Sequence, residues 1–183
     1  MALILAYQGH DSVVVATDLR KGGWERLVKS DFGNHYFAWA GNTPPMMEQL
    51  THVLSLEKLV GSGNIPNFGV VPALMAYADS QLIVLDPKKP QLYSRNGESL
   101  DIVKVEENMA VFLFSIGYKF ELMEREHSFK GRNPEEIADK LIESIGDLSY
   151  IFDRDNGCAA YISRAGRVVP YAKLTHVADL HSS

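Results

Sequence analysis

The stretch Leu3–Arg20 reads LILAYQGHDSVVVATDLR and contains two short apolar segments separated by turn-forming residues. The segments Leu3–Tyr7 and Ser12–Thr17 are rich in residues that favour strands. The four residues between them, Gln8 to Asp11, have the composition of a tight turn. This pattern predicts an antiparallel hairpin at the start of the chain.

Strand-like and helix-like segments follow this hairpin in blocks. In the last predicted helix, Asn133, Pro134 and Glu136 form a capping-box pattern ahead of an apolar face. The remaining predicted elements are a strand over 35–40, helices over 44–60 and 70–78, strands over 81–85, 91–94, 102–105 and 109–114, helices over 118–127 and 134–146, and strands over 159–163 and 168–171. This order favours an α+β fold in which helices cover antiparallel sheets, rather than a doubly wound parallel sheet.

The overall composition is that of a single globular domain spanning residues 1–183. The 183 residues are 46% hydrophobic and 22% charged, with a formal net charge of −5. Basic residues form no continuous run, which argues against a nucleic-acid partner. The longest apolar run, MAVFLFS over 109–115, is too short to span a bilayer. We therefore expect a cytoplasmic protein that binds neither nucleic acid nor membranes.

The cysteine content excludes an intrachain disulfide. Cys158 is the single cysteine of the sequence, and no CxxC motif or histidine–cysteine cluster accompanies it. Its position at the start of a predicted strand indicates a buried thiol rather than a nucleophile. The sequence thus predicts no metal and no cofactor.

Three short motifs, in their order along the chain, resemble proteasome β subunits and the bacterial HslV peptidase. They are the opening hairpin followed by Asp18-Leu19-Arg20, the segment FAWAGN over 37–42, and the segment DRDNG over 153–157. The resemblance implies the four-layer αββα sandwich of N-terminal-nucleophile (Ntn) hydrolases. It also implies a threonine-type peptidase ancestry linked to intracellular protein degradation.

In the family that the chain resembles, the first mature residue carries the nucleophilic hydroxyl and its own α-amine is the general base. Aligning Asp18 with the family aspartate places Ala2 at this nucleophile position. Alanine has no hydroxyl, and removal of the nucleophile from a serine protease lowers turnover by about 10⁶. The resemblance therefore predicts weak or absent peptidase activity.

The resemblance also implies the residues that would support the nucleophile. Asp18 and Lys29 match the aspartate–lysine pair, so we expect their side chains to be in contact, although the segment before Gly41 is a few residues shorter than in the family. For Asp18, Lys29 and Gly41 the structural alternatives are a strand-ending carboxylate, a solvated lysine and a glycine required by the turn. The remaining implied site positions are Gly22 and Gly41 for the oxyanion and substrate backbone, and Asp153 and Asn156 as supporting polar residues.

The leading interpretation is a self-assembling protein related to threonine peptidases, with little or no activity of its own. One alternative is an active threonine-type endopeptidase with a differently processed N-terminus, and another is a non-enzymatic assembly or peptide-binding protein. The implied partners are further copies of the chain, for which a ring is one form, an unfoldase ATPase, and a peptide or unfolded-protein substrate. Met46, Met47, Val53 and Leu56 give the first predicted long helix more apolar surface than one buried stripe needs.

Overall fold

The computed structural model describes residues 2–20, 22–29, 36–40, 81–95, 103–114, 129–151 and 156–176. These residues contain ten strands and one helix. In chain order they are β1 (Leu3–Gln8), β2 (Ser12–Asp18), β3 (Val28–Lys29), β4 (Tyr36–Ala40), β5 (Gln81–Asp86), β6 (Gln91–Arg95), β7 (Val103–Lys104), β8 (Met109–Phe114), α1 (Pro134–Ile151), β9 (Cys158–Arg164) and β10 (Arg167–Leu174).

The strands form two antiparallel sheets of five strands each. The first sheet has the order β10-β9-β2-β1-β8 and the second has the order β3-β4-β5-β6-β7. The predicted hairpin is present: β1 pairs with β2 in a register that sets Ile4 opposite Thr17, and the Gly9 amide donates to the Ser12 carbonyl at 2.8 Å. Antiparallel pairing throughout agrees with the expectation from the element order.

Both faces of the first sheet are buried at β1 and β2, which explains why the central residues of these two strands are apolar without alternation. On β1, Ile4 and Ala6 point toward the second sheet and pack against Ala38 and Ile83. Leu5 and Tyr7 point the other way, toward α1. The residues of α1 in that cluster are Ile137, Ala138, Leu141, Ile142 and Ile145.

The helix α1 begins as the capping pattern predicts. The Glu136 amide donates to Asn133 Oδ1 at 2.9 Å, which satisfies one of the free amides of the first turn. The helix ends at Ile151 rather than near residue 146, because Ile145 and Leu148 continue the buried face past Gly146. In the part of the chain that the structure describes, no helix is long and apolar enough to cross a membrane.

The described residues account for three layers, namely α1, the first sheet and the second sheet. The helices predicted over 44–60, 70–78 and 118–127 lie outside the described residues, as do the methionines of the first of them. The mostly sheet architecture is therefore observed, and the complete four-layer αββα sandwich is not confirmed.

A buried glutamine links the two sheets at the end of β1. Gln8 was expected in the turn, but its side chain is buried and its Oε1 accepts hydrogen bonds from the Leu92 amide at 2.7 Å and from Gln91 Nε2 at 3.2 Å. Its Nε2 donates to the Pro90 carbonyl at 2.9 Å. These partners all lie on or beside β6, so one side chain fixes the position of the second sheet relative to the first.

Candidate functional site

The position predicted for a nucleophile holds a buried methyl group. Ala2 lies immediately before β1 and is only 4% exposed. It belongs to the apolar cluster between the sheets, together with Leu19, Leu27 and Ala38. The side chain at this position therefore serves as packing between the two sheets.

The end of β2 carries a buried carboxylate with defined partners. Asp18 is 2% exposed, and its Oδ1 accepts hydrogen bonds from the Leu3 amide at 2.7 Å and from Arg26 Nε at 2.6 Å. Arg26 Nη2 donates to Asp18 Oδ2 at 3.0 Å, so the guanidinium binds the carboxylate through two parallel hydrogen bonds. This network joins the start of β1, the end of β2 and the segment after the first turn.

The expected contact between Asp18 and Lys29 is replaced by the contact with Arg26. Lys29 is exposed on the short strand β3, opposite Tyr36 of β4. Within the described ranges, neither a hydrogen bond nor an ion pair joins Lys29 to Asp18. Arg26 was not predicted as the partner of Asp18. The segment before Gly41 is a few residues shorter than in the family, and this difference was a signal that a cation at another position could bind Asp18.

A tight turn between Arg20 and Trp24 brings Arg26 back toward Asp18. The Arg20 amide donates to the Trp24 carbonyl at 2.8 Å, and the Gly23 amide donates to the Arg20 carbonyl at 2.9 Å. Gly22 has a φ of 91°, a left-handed conformation that glycine adopts without strain. The structure thus places Gly22 in an exposed turn, and its implied role at a substrate backbone stays a prediction.

The segment before β9 closes the other side of this site. The Gly157 carbonyl accepts a hydrogen bond from the Leu19 amide at 3.0 Å. A Cβ at Gly157 would lie 2.2 Å from the Leu174 carbonyl oxygen, so only glycine fits there. Asn156 is half-buried next to it, and its supporting role stays a prediction, whereas Asp153 and Gly41 lie outside the described residues.

Cys158 is buried on β9, where it pairs with Asp18 of the neighbouring strand β2. Burial, together with the negative charge of Asp18, raises the pKa of its thiol to about 11. The thiol is thus protonated at neutral pH and has little nucleophilic character. This agrees with the interpretation of Cys158 as a structural thiol.

The described part of the site lacks the groups that acyl transfer requires. Position 2 has no hydroxyl, and an arginine side chain stays protonated at physiological pH and cannot relay a proton. The hydroxyl of Thr17, the residue before Asp18, is fully buried and has no access to a substrate. Among the residues described, no group of three or more histidine, cysteine, aspartate or glutamate side chains could hold a metal ion.

No family model matches the chain, and no curated protein matches it. A solved structure that does match is an Anbu (Gly-1) mutant from Hyphomicrobium sp. strain MC1, with a TM-score of 0.65 and 12% sequence identity over 96% of this chain and 88% of that chain. Anbu has an Ntn-hydrolase-like fold, and at this identity the likeness shows the fold alone.

The comparisons correct the family assignment. No family model or sequence relative connects the chain with proteasome β subunits or HslV, and the likeness in fold reported above is to Anbu. The assignment to the β-subunit and HslV family is therefore wrong. The three motifs that suggested it are short, and the first of them forms a β-hairpin, which is a common local structure.

Proposed function

We propose that this chain is a non-catalytic, self-assembling protein that uses an Ntn-hydrolase-like fold as a scaffold. The observation that carries the proposal is the buried methyl group of Ala2, with Asp18 beside it held by Arg26. The position predicted for a nucleophile holds the packed methyl group of Ala2. The neighbouring carboxylate of Asp18 binds an arginine, which cannot relay a proton.

Loss of the nucleophile costs a serine protease about 10⁶ in turnover, and only another activated group could offset a loss of this size. Cys158 does not meet this requirement, because its thiol is buried and its pKa is raised to about 11. The described residues of the site therefore support binding or packing rather than peptide cleavage.

Self-assembly is supported by exposed apolar side chains. Among the described residues, the large hydrophobic side chains that remain exposed are Trp24, Val103, Met109, Val169 and Tyr171. Exposed groups of this kind mark interaction surfaces when they cluster. The likeness in fold to a proteasome-related protein agrees with a role in an assembly.

The first test measures peptide cleavage. A panel of fluorogenic peptides with acidic, basic and apolar residues before the scissile bond is incubated with the chain, with Ala2→Thr, and with Ala2→Ser. We expect no cleavage above buffer for the parent chain. For the two variants we expect weak activity at most, because Asp18 binds Arg26, which cannot relay a proton, rather than Lys29. Robust cleavage by the unmodified chain would refute the non-catalytic half of the proposal.

The second test measures mass in solution. Size-exclusion chromatography with light scattering is expected to give a species larger than the 20.4 kDa monomer at micromolar concentration. A monomer at all accessible concentrations would refute the self-assembly half. The two halves of the proposal thus have separate measurements.

A further inference from the structure

The exposed apolar side chains lie at two opposite edges of the sandwich. Val169, 52% exposed, and Tyr171 lie on β10, which is one edge strand of the first sheet. Met109, 46% exposed, lies on β8, which is the other edge strand of the same sheet. Val103 lies on β7, at the edge of the second sheet. The two groups of side chains are therefore distinct patches separated by the width of the sheet.

The first patch, the β10 edge, consists of Arg167, Val169 and Tyr171. The turn that carries Trp24 lies beside this strand, since Glu25 Oε1 is 3.4 Å from Lys173 Nζ. The Arg167 guanidinium is exposed and makes no ion pair with any described residue. The β10 edge thus combines apolar surface with the positive charge of Arg167, while the Tyr171 hydroxyl donates to Asp139 Oδ1 of α1 at 2.8 Å.

The second patch, the β7–β8 groove, is a surface cavity of about 320 Å³ between the edges of the two sheets. It is open to solvent, and Val103 and Met109 both line it. The carboxylate of Glu106 at its rim makes no ion pair with any described residue. The residues that line the groove are Ser94, Val103, Lys104, Val105, Glu106 and Met109, followed by 110–113 of β8.

We propose that the β10 edge of one copy of this chain docks into the β7–β8 groove of a second copy. Both patches are partly apolar, and Arg167 on one patch complements Glu106 on the other. In a two-fold contact each patch would have to meet its complement on the same partner at once, and patches at opposite edges of one sheet cannot both face a single partner. The contact is therefore heterologous, so each copy uses two different surfaces and further copies add head to tail.

The docking proceeds through side chains rather than through an added strand. Pro170 has no amide hydrogen to donate, and the register between β10 and β9 shifts between Pro170 and Ala172. Both features disfavour backbone pairing along an edge strand. The two sheets of neighbouring copies are thus not expected to merge into one continuous sheet.

This inference rests on the proposed self-assembly, and two single variants test it. Val169→Glu places a charge on the β10 edge, and Met109→Glu places a charge in the β7–β8 groove. Burying either charge in the contact is expected to raise the dissociation constant by about 100-fold. Sedimentation velocity should therefore show each purified variant as a monomer, while Glu143→Lys on the exposed face of α1 keeps the parent mass.

Mixing the two variants in equal amounts tests the heterologous geometry. The intact groove of Val169→Glu can accept the intact β10 edge of Met109→Glu, so the mixture should form a 1:1 dimer and stop there. A mixture that stays monomeric would overturn the head-to-tail geometry. Parent-like assembly of both single variants would overturn the choice of surfaces. A parent chain that is itself monomeric would instead overturn the proposed function.

A charge exchange gives a second measurement that does not depend on the apolar positions. Arg167→Glu and Glu106→Arg are each expected to weaken assembly about tenfold, and a chain with both substitutions is expected to recover it. Both side chains are exposed, so neither substitution should disturb folding. Equal assembly by all four chains would show that these two residues do not meet across the contact.

Discussion

Replacing Arg26 with methionine is expected to lower the free energy of unfolding by about 3–5 kcal/mol. The substitution removes two charge-assisted hydrogen bonds, of 2.6 and 3.0 Å, from a carboxylate that is 2% exposed. Removing one partner of a buried, hydrogen-bonded ion pair costs about this amount. Methionine keeps an unbranched side chain of similar length, so loss of packing contributes little. For a chain of 183 residues the thermal midpoint should fall by roughly 6–20 °C.

Two control variants test whether the loss of stability depends on burial of the ion pair and on which cation is removed. Arg164→Met breaks an arginine–carboxylate pair with Glu135 whose side chains are nearly half exposed, so it should cost at most about 1 kcal/mol. Lys29→Met removes the cation that the sequence predicted beside Asp18, and it should change stability by less than about 0.5 kcal/mol because Lys29 is exposed.

Urea unfolding followed by far-ultraviolet circular dichroism measures all of these variants on one scale. The double variant Asp18→Asn/Arg26→Met should recover at least about 2 kcal/mol relative to Arg26→Met, because the buried carboxylate that loses the Arg26 guanidinium is then replaced by a neutral amide. The reasoning would be refuted if Arg26→Met cost no more than Arg164→Met. It would also be refuted if Lys29→Met proved the more damaging of the two single changes at the predicted site.

Three further predictions concern the sheets and the buried thiol. Gln8→Ala should cost about 2–4 kcal/mol in urea unfolding, because the buried Leu92 amide loses its acceptor and the sheets lose a link; a loss below 1 kcal/mol would contradict this. Burial raises the pKa of the Cys158 thiol from its ordinary value of 9.0 to about 11, so the free energy of unfolding is highest below pH 9 and falls by roughly 3 kcal/mol as the pH rises to about 11. Cys158→Ala should therefore flatten the dependence of the free energy of unfolding on pH between about pH 8 and pH 10.5. Gly157→Ala should prevent close approach of the Leu174 carbonyl and lower the thermal midpoint by about 5 °C or more. Gly131→Ala, which has open space around it, should lower the thermal midpoint less, because only its positive φ disfavours alanine there.

The local elements of the fold could be predicted from short stretches of sequence. The hairpin from Leu3 to Thr17 follows from two apolar runs around a turn, and its register needs only neighbouring residues. The capping of α1 by Asn133 depends on residues within one turn of each other. Strand order was not accessible in this way, because β9 pairs with β2 through residues about 145 positions apart in the chain.

The family assignment failed for a related reason. Motifs such as a strand–turn–strand opening with an aspartate at its end satisfy the needs of the fold, so they recur wherever the fold does. Such motifs predicted a fold, with which the likeness in fold to Anbu agrees, and they could not distinguish one family with that fold from another.

The sequence by itself determined that position 2 is an alanine and that Cys158 has no cysteine to pair with, and it determined the local hairpin and helix cap. Only the tertiary structure decided that Ala2 is packed between two sheets and that Arg26, rather than Lys29, binds Asp18. Which cation reaches a buried carboxylate depends on where the chain returns after the Arg20–Trp24 turn. That position is fixed by strand pairing and burial across the whole sheet, and the spacing of residues along the chain does not specify it.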